Sequence, residues 1–191
     1  MKKIAMLLCS FLVTAISFSV YAQQMDEASM KAWMDYSTPG DMQKILAKSE
    51  GKWIGDITMW MAPGQPPMQQ KGVLENKMIL DGRYLQGKNT ATMMGMPFEG
   101  WGLTGYDNSR KVLFTTWIDN MGTGIIYLEG TWNAEKKSIV FTGKQTDPMS
   151  GKEMDTREIF TIVDDNHNTM EMFVTMGGQE YKSMEIKFTR E

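Results

Sequence analysis

Beyond Gly51 the chain reads as short runs of alternating apolar and polar residues, each cut off by a cluster rich in Gly, Asn, Asp, Pro or Lys. Alternation with period two marks a strand with one buried face, and the breaks have hairpin length. The pattern predicts strands near 51–61, 69–80, 83–92, 97–106, 111–119, 124–132, 138–147, 153–163, 169–176 and 180–190. No break has room for a crossover helix, which excludes parallel pairing and leaves an up-and-down meander. Such a chain either stacks as two sheets or closes on itself. Closure removes both edges, and the long connections of a Greek-key sandwich are missing, so an all-β, ten-stranded antiparallel barrel is expected.

Before Gly51 the period changes. Residues 25–48 read as two short helices. MDEASMKAWM puts Ala28, Met25 or Ala32, and Met34 near one face, and Thr38-Pro39-Gly40-Asp41 offers an N-cap, a proline at the first helical position and an acid in the first turn. Further upstream, Lys2 and Lys3 precede an apolar run from Ile4 to Val20 that leads into Tyr21-Ala22. That is the pattern of a secretory signal peptide cleaved before Gln23. The expected organisation is a signal peptide at 1–22, a helical lead-in at 23–50 and a barrel at 51–191. The expected location is periplasmic or secreted, with no stable membrane insertion after cleavage.

Composition narrows the chemistry. The single cysteine, Cys9, lies inside the signal's apolar run, so the mature chain has no disulfide and no thiolate nucleophile. Removing Lys2 and Lys3 from 20 basic residues against 23 acidic ones leaves a net charge of −5. With that balance and no basic cluster, a nucleic-acid partner is disfavoured. No feature of the pattern specifies an oligomeric state.

Strand parity then assigns an inner wall. If Trp53 faces inward, so do Ile57, Met59 and Met61, while Asp56 and Thr58 face water. The same rule sends Met170, Met172, Val174 and Met176 inward on one late strand, and Met184, Ile186 and Phe188 inward on the next. It also places Asn76, Gln145 and Glu158 among apolar neighbours. Burying Glu158 requires a partner or a raised pKa, and on charge alone Arg83 is the expected partner. Strands four to six resist the test, because both of their faces are apolar or carry glycine.

A wall rich in Met suits an apolar ligand of variable shape, and ten strands enclose more space than side chains alone need fill. Methionine is abundant, at 20 residues, and thioethers also select Cu(I). The segment MMGM at 93–96 is where such a site belongs, although the methionines are spread over the whole chain. Haem ligated by histidine is not expected, because the only His, His167, falls in a turn. That turn imitates a calcium loop at Asp164, Asn166 and Asn168 but has Thr169 and Thr175 where glycine and glutamate belong. No cofactor, metal site or catalytic residue is assigned.

The signature Gly51-Lys52-Trp53 on the first strand, with Arg190 ending the last one, resembles the pattern of calycins, the lipocalins and their relatives. That resemblance implies an arginine stacked over the tryptophan at the closed end of the barrel. The chain is also similar to the bacterial domain-of-unknown-function family 1579. The likeness rests on GKWIGDITMWMAPGQPP, LDGRYL, FEGWGLTGYDN, WIDNMGTG, DTREIF and KSMEIKFTR, over roughly residues 48 to 190. It implies a calycin-like barrel and no particular activity, and it singles out Tyr106-Asp107 and Trp117-Ile118-Asp119. Asp107 reads as a turn residue, while Asp119 either caps a turn or meets a ligand.

The expectation is therefore a calycin/lipocalin-like barrel that binds a small apolar molecule without transforming it. Its ligand wall would include Met59, Met172, Met176 and Met184, with Arg83, Trp117, Asp119 and Glu158 as polar or aromatic contacts. Gly51, Trp53 and Arg190 would be structural. The alternatives are a filled barrel acting as a protein-interaction module, a periplasmic Cu(I) protein, and an enzyme using cavity carboxylates.

Overall fold

Strands pair edge to edge through their backbone N–H and C=O groups until no edge is left, and the barrel reaches that end point. The computed structural model describes residues 26–191, so the expected signal peptide lies outside the described residues. Two helices come first, α1 (Glu27–Ser37) and α2 (Asp41–Ala47). They are followed by β1 (Gly51–Met59), β2 (Met68–Ile79), β3 (Tyr84–Met93), β4 (Met96–Asp107) and β5 (Val112–Asp119). The remaining strands are β6 (Ile126–Asn133), β7 (Ser138–Thr146), β8 (Glu153–Ile162), β9 (His167–Met176) and β10 (Gln179–Arg190). Every strand pairs antiparallel with its neighbours in sequence, and β10 returns to β1, closing the barrel.

Closure runs from Trp53 opposite Arg190 to Met59 opposite Met184. At its lower end the Arg190 guanidinium lies 4.0 Å from the centre of the Trp53 ring. The same group donates to the carbonyls of Lys48 at 2.7 Å, Asp165 at 2.8 Å and Glu50. Trp53 Nε1 donates to Ser49 O at 3.0 Å, as does Asn76 Nδ2. One arginine thus satisfies carbonyls left over at the end of α2 while sealing β1 against β10, a fork geometry that lysine lacks. Gly51 fits beneath it for two reasons: its φ is +109°, and a Cβ there would sit 2.9 Å from Arg190 Nη1.

Helix α2 plugs this end. Leu46 is buried in a cluster with Leu85, Leu113, Leu128, Ile139 and Phe141. Gln43 is also buried; it accepts from Gly40 N at 2.8 Å and donates to Tyr106 O at 3.3 Å. The N-cap of α2 is Gly40 and not Thr38, a correction to the sequence reading. Thr38 instead ends α1, where its hydroxyl and its N–H both bond Met34 O.

Helix α1 buries no residue, so the face expected at Ala28, Ala32 and Met34 is not packed. Its C-terminal end is held by Asn108 Nδ2, which reaches the carbonyls of Tyr36 and Thr38, and by Arg83 Nη2, which donates to Ser37 O at 2.9 Å. Met61, expected inward, lies beyond the end of β1 and is exposed.

Replacing Arg190 by Lys keeps the charge and removes the fork. We expect a loss of about 2 kcal/mol in urea unfolding, from the carbonyl bonds and the ring contact together. Unfolding that matches wild type would remove Arg190 from the closure.

Candidate functional site

The inner wall above the plug is where side chains stop filling the barrel. Four inward positions, Gly55, Gly72, Gly87 and Gly102, carry no side chain, and with their neighbours they bound a cavity of about 450 Å3. Its floor is Leu46 and Ser49 of the plug, and its far end is bounded by Met59, Met93 and Met121. Between these lie Ile57, Leu74, Phe98, Ile126, Phe160, Met170, Met172, Met184 and Ile186. A mostly apolar cavity with few polar groups is the usual form of a small-molecule site.

The two ends of the barrel differ in chemistry. Turns at the plugged end carry Asp81 and Arg83, Arg110 and Lys111, Glu135 to Lys137, and Asp164 and Asp165. Each of the five hairpins at the far end instead has an exposed methionine at or beside its tip: Met61, Met94, Met121, Met149 and Met176. The mouth is therefore rimmed by flexible thioether side chains and the base by charges.

Glu158 projects into the cavity from β8. Its register neighbours are Phe141 on β7 and Met172 on β9. The surface it retains is turned to the cavity, and its carboxyl receives no hydrogen bond from the described residues. Desolvation alone pushes it up to about 7. The expectation that Arg83 would be its partner is corrected: Arg83 lies at the base, bonded to Leu80 O and Ser37 O and paired with Asp81.

Asp119 serves the turn and the wall at once. One oxygen accepts from the N–H groups of Met121 and Gly122, at 2.9 and 3.1 Å, and the other accepts from Trp117 Nε1 at 2.8 Å. The indole so held lies flat over Gly100, where a Cβ would come within 2.3 Å of the ring, and stacks with Phe98 at 6.3 Å between centroids. Trp117 is thereby fixed as a panel of the cavity wall. Asp107 accepts from the N–H groups of Ser109 and Arg110 in the turn after β4.

Of the residues anticipated from sequence, Met59, Trp117, Asp119, Glu158, Met172 and Met184 line the cavity together. Arg83 and Met176 do not; Met176 ends β9 at the exposed rim. Gln145 and Met154 face each other in register without lining the cavity. Register places Met68, Met59, Met184, Met172 and Glu158 in one row across five consecutive strands. His167 is at the base, bonded to Asp164 at 2.9 Å and far along its strand from the mouth. Sequence reading missed the inward glycines, Phe98, Thr104 and Thr115. The available signal was glycine within strand patterns at inward parity, which marks close approach or space.

A model of the family described as "Protein of unknown function (DUF1579)" matches residues 38–190. That range begins just ahead of α2, so the plug falls inside the family's unit. Among solved structures, the crystal structure of Rv2717c from M. tuberculosis is similar, with a TM-score of 0.61 and 14% identity, covering 81% of this chain and 99% of that one. At that identity the likeness is one of fold. A redesigned beta barrel aligns with a TM-score of 0.42 and 13% identity, covering 80% of this chain and 99% of that one. No curated protein matches the chain.

Two expectations follow from the geometry. Asp119→Ala frees the indole and two turn N–H groups, so Trp117 emission should shift to the red with a stability loss of about 1–2 kcal/mol; unchanged emission would mean that packing alone holds the ring. For Glu158 the sign follows from linkage: the folded carboxyl titrates near 7, above its ordinary value of 4.5, so the folded state holds the extra proton between them. Stability should therefore fall as pH rises from about 4.5 to 7 and level off above, by at most about 3 kcal/mol. The difference in urea unfolding between wild type and Glu158→Gln across that window isolates this contribution, and a pH-independent difference would contradict it.

Proposed function

The chain belongs to the DUF1579 family, and from the site described above we propose that it binds a small, largely apolar molecule inside its barrel without transforming it. The observation that carries this reading is the cavity of about 450 Å3 walled by Met, Phe, Ile and Leu side chains, with a single carboxyl that none of the described residues satisfies. A sequence selected only to fill a barrel would place a side chain at Gly102, where a Cβ meets only ordinary contacts, and an apolar residue at 158. Methionine, unbranched and polarisable, adapts to ligand shape at modest cost, which suits Met59, Met172 and Met184 as wall and the rim methionines as an apolar entrance.

The N-terminal signal pattern supports a place of work in the periplasm or outside the cell, where a carrier shields an apolar molecule from water. Trp53, Arg190 and α2 keep the base shut, so the ligand enters past Trp117 and the rim. In this reading Asp119 positions Trp117, and Glu158 contacts the ligand.

Titration with an environment-sensitive apolar fluorophore tests the reading. Wild-type protein should take up one equivalent and release it to competing apolar molecules. Gly102→Leu should fill the cavity: a Cβ at 102 meets only ordinary contacts, Thr116 O at 3.5 Å and Trp117 Cε3 at 3.7 Å, and the rest of the side chain points into the space. The variant should unfold as wild type does and bind the probe about tenfold more weakly or worse. Equal uptake by both proteins would place the probe outside the barrel and contradict the proposal.

A further inference from the structure

A cavity that only needed to hold a hydrocarbon would not spend stability on a carboxyl. Glu158 stands on the inner wall between Phe141 and Met172, with Phe160 two residues along the same strand. Nothing among the described residues donates a hydrogen bond to it. An acidic group enclosed by protein and left without a donor is costly unless a ligand supplies one.

The rest of the lining decides what kind of donor fits. Among the described residues that bound the cavity there is no Lys, Arg or His. The only other ionisable group on the wall is Asp119, and its oxygens already accept from Trp117, Met121 and Gly122. The charged side chains of the adjacent strands, Arg157, Lys144, Asp155 and Glu171, are tied up or exposed on the outer face. The interior therefore offers one free negative site, no positive one, and aromatic faces and thioethers that also attract a cation. An anionic ligand would meet Glu158 with nothing to neutralise either charge.

We infer that the barrel selects apolar amines: molecules with a hydrocarbon body that fills the Met and Phe wall and one primary or secondary ammonium that pairs with Glu158. This assignment rests on the reading of the barrel as a ligand carrier and specifies its ligand class. The ammonium supplies the N–H donors that the carboxylate lacks, and its hydrocarbon body occupies the space above the plug. Because the unliganded carboxyl holds a proton below about pH 7, binding an ammonium there releases one proton. Amine affinity should accordingly rise with pH and become flat above about 7.

The experiment compares three straight-chain probes of equal length, an alkylamine, the alcohol and the carboxylic acid, each displacing the apolar fluorophore from residues 23–191. At pH 8 the amine should bind about tenfold or more tightly than the alcohol, with the acid weakest. Between pH 5 and 7 amine affinity should climb by up to about tenfold per pH unit, while the alcohol stays flat. Glu158→Gln and Glu158→Leu, both of which remove the carboxyl charge, should lose both the preference for the amine over the alcohol and the rise of amine affinity with pH. Equal affinities for amine and alcohol in wild type, or the acid as the tightest probe, would overturn the amine assignment while leaving the carrier reading intact. A barrel that takes up neither fluorophore nor any of the three probes would overturn the carrier reading itself.

Discussion

The arrangement depends on how the last strand is joined to the first. Arg190 stacks on Trp53 and gathers the carbonyls of Lys48, Glu50 and Asp165 under one guanidinium. Without that junction β1 and β10 would each present an unpaired edge, and α2 would have no anchor for its terminal carbonyls. The junction also fixes which end of the barrel is shut. Leu46 enters the core only because the residues that follow it, Lys48 to Glu50, are held beneath Arg190 and beside Trp53.

With the base shut, the interior becomes a one-ended vessel whose two ends carry different chemistry. Charged turns cluster at the plug and methionine-tipped turns at the mouth, and the wall between them is mostly apolar, with Glu158 as the carboxyl on it that no described residue hydrogen-bonds. Here folding and function pull apart. Gly102 forgoes packing that a larger side chain would supply, and Glu158 forgoes the hydration of its charge. Local departures of this kind from what stabilises a fold are expected where a site is kept open. Asp119 shows the complementary economy, since one carboxylate closes a turn and locks an indole into the wall.

Much of this was legible in the sequence, and the failures have physical causes. All ten strands follow from period-two alternation, because every strand between Gly51 and Arg190 has one wet face and one enclosed face. Trp53 and Arg190 were legible through a resemblance, and Gly51 acquires its reason only from the positive φ and the guanidinium above it. Which faces of β4, β5 and β6 turn inward was not legible. Gly100 and Gly102 face inward while Trp101 and Leu103 face out, and Trp101 is held on the outer face by Glu99 and by Lys88 over its ring. Parity also overran the barrel: Met61 and Met176 have inward phase, but the interior ends before they do. Arg83 failed as a partner for Glu158 because charge gives no position; it follows a base turn, whereas Glu158 lies in mid-strand. For Asp119, turn residue and ligand contact were posed as alternatives; one oxygen closes the turn and the other holds Trp117, a partner the sequence did not suggest.

The proposed role makes the barrel a container. Native mass spectrometry of the protein isolated from the cells that make it tests this most directly, by comparing the intact mass before and after denaturation. A container should release an organic species, rich in carbon and hydrogen and present at up to one per chain. A bare mass that persists after incubation with the host's own apolar extract would contradict that role.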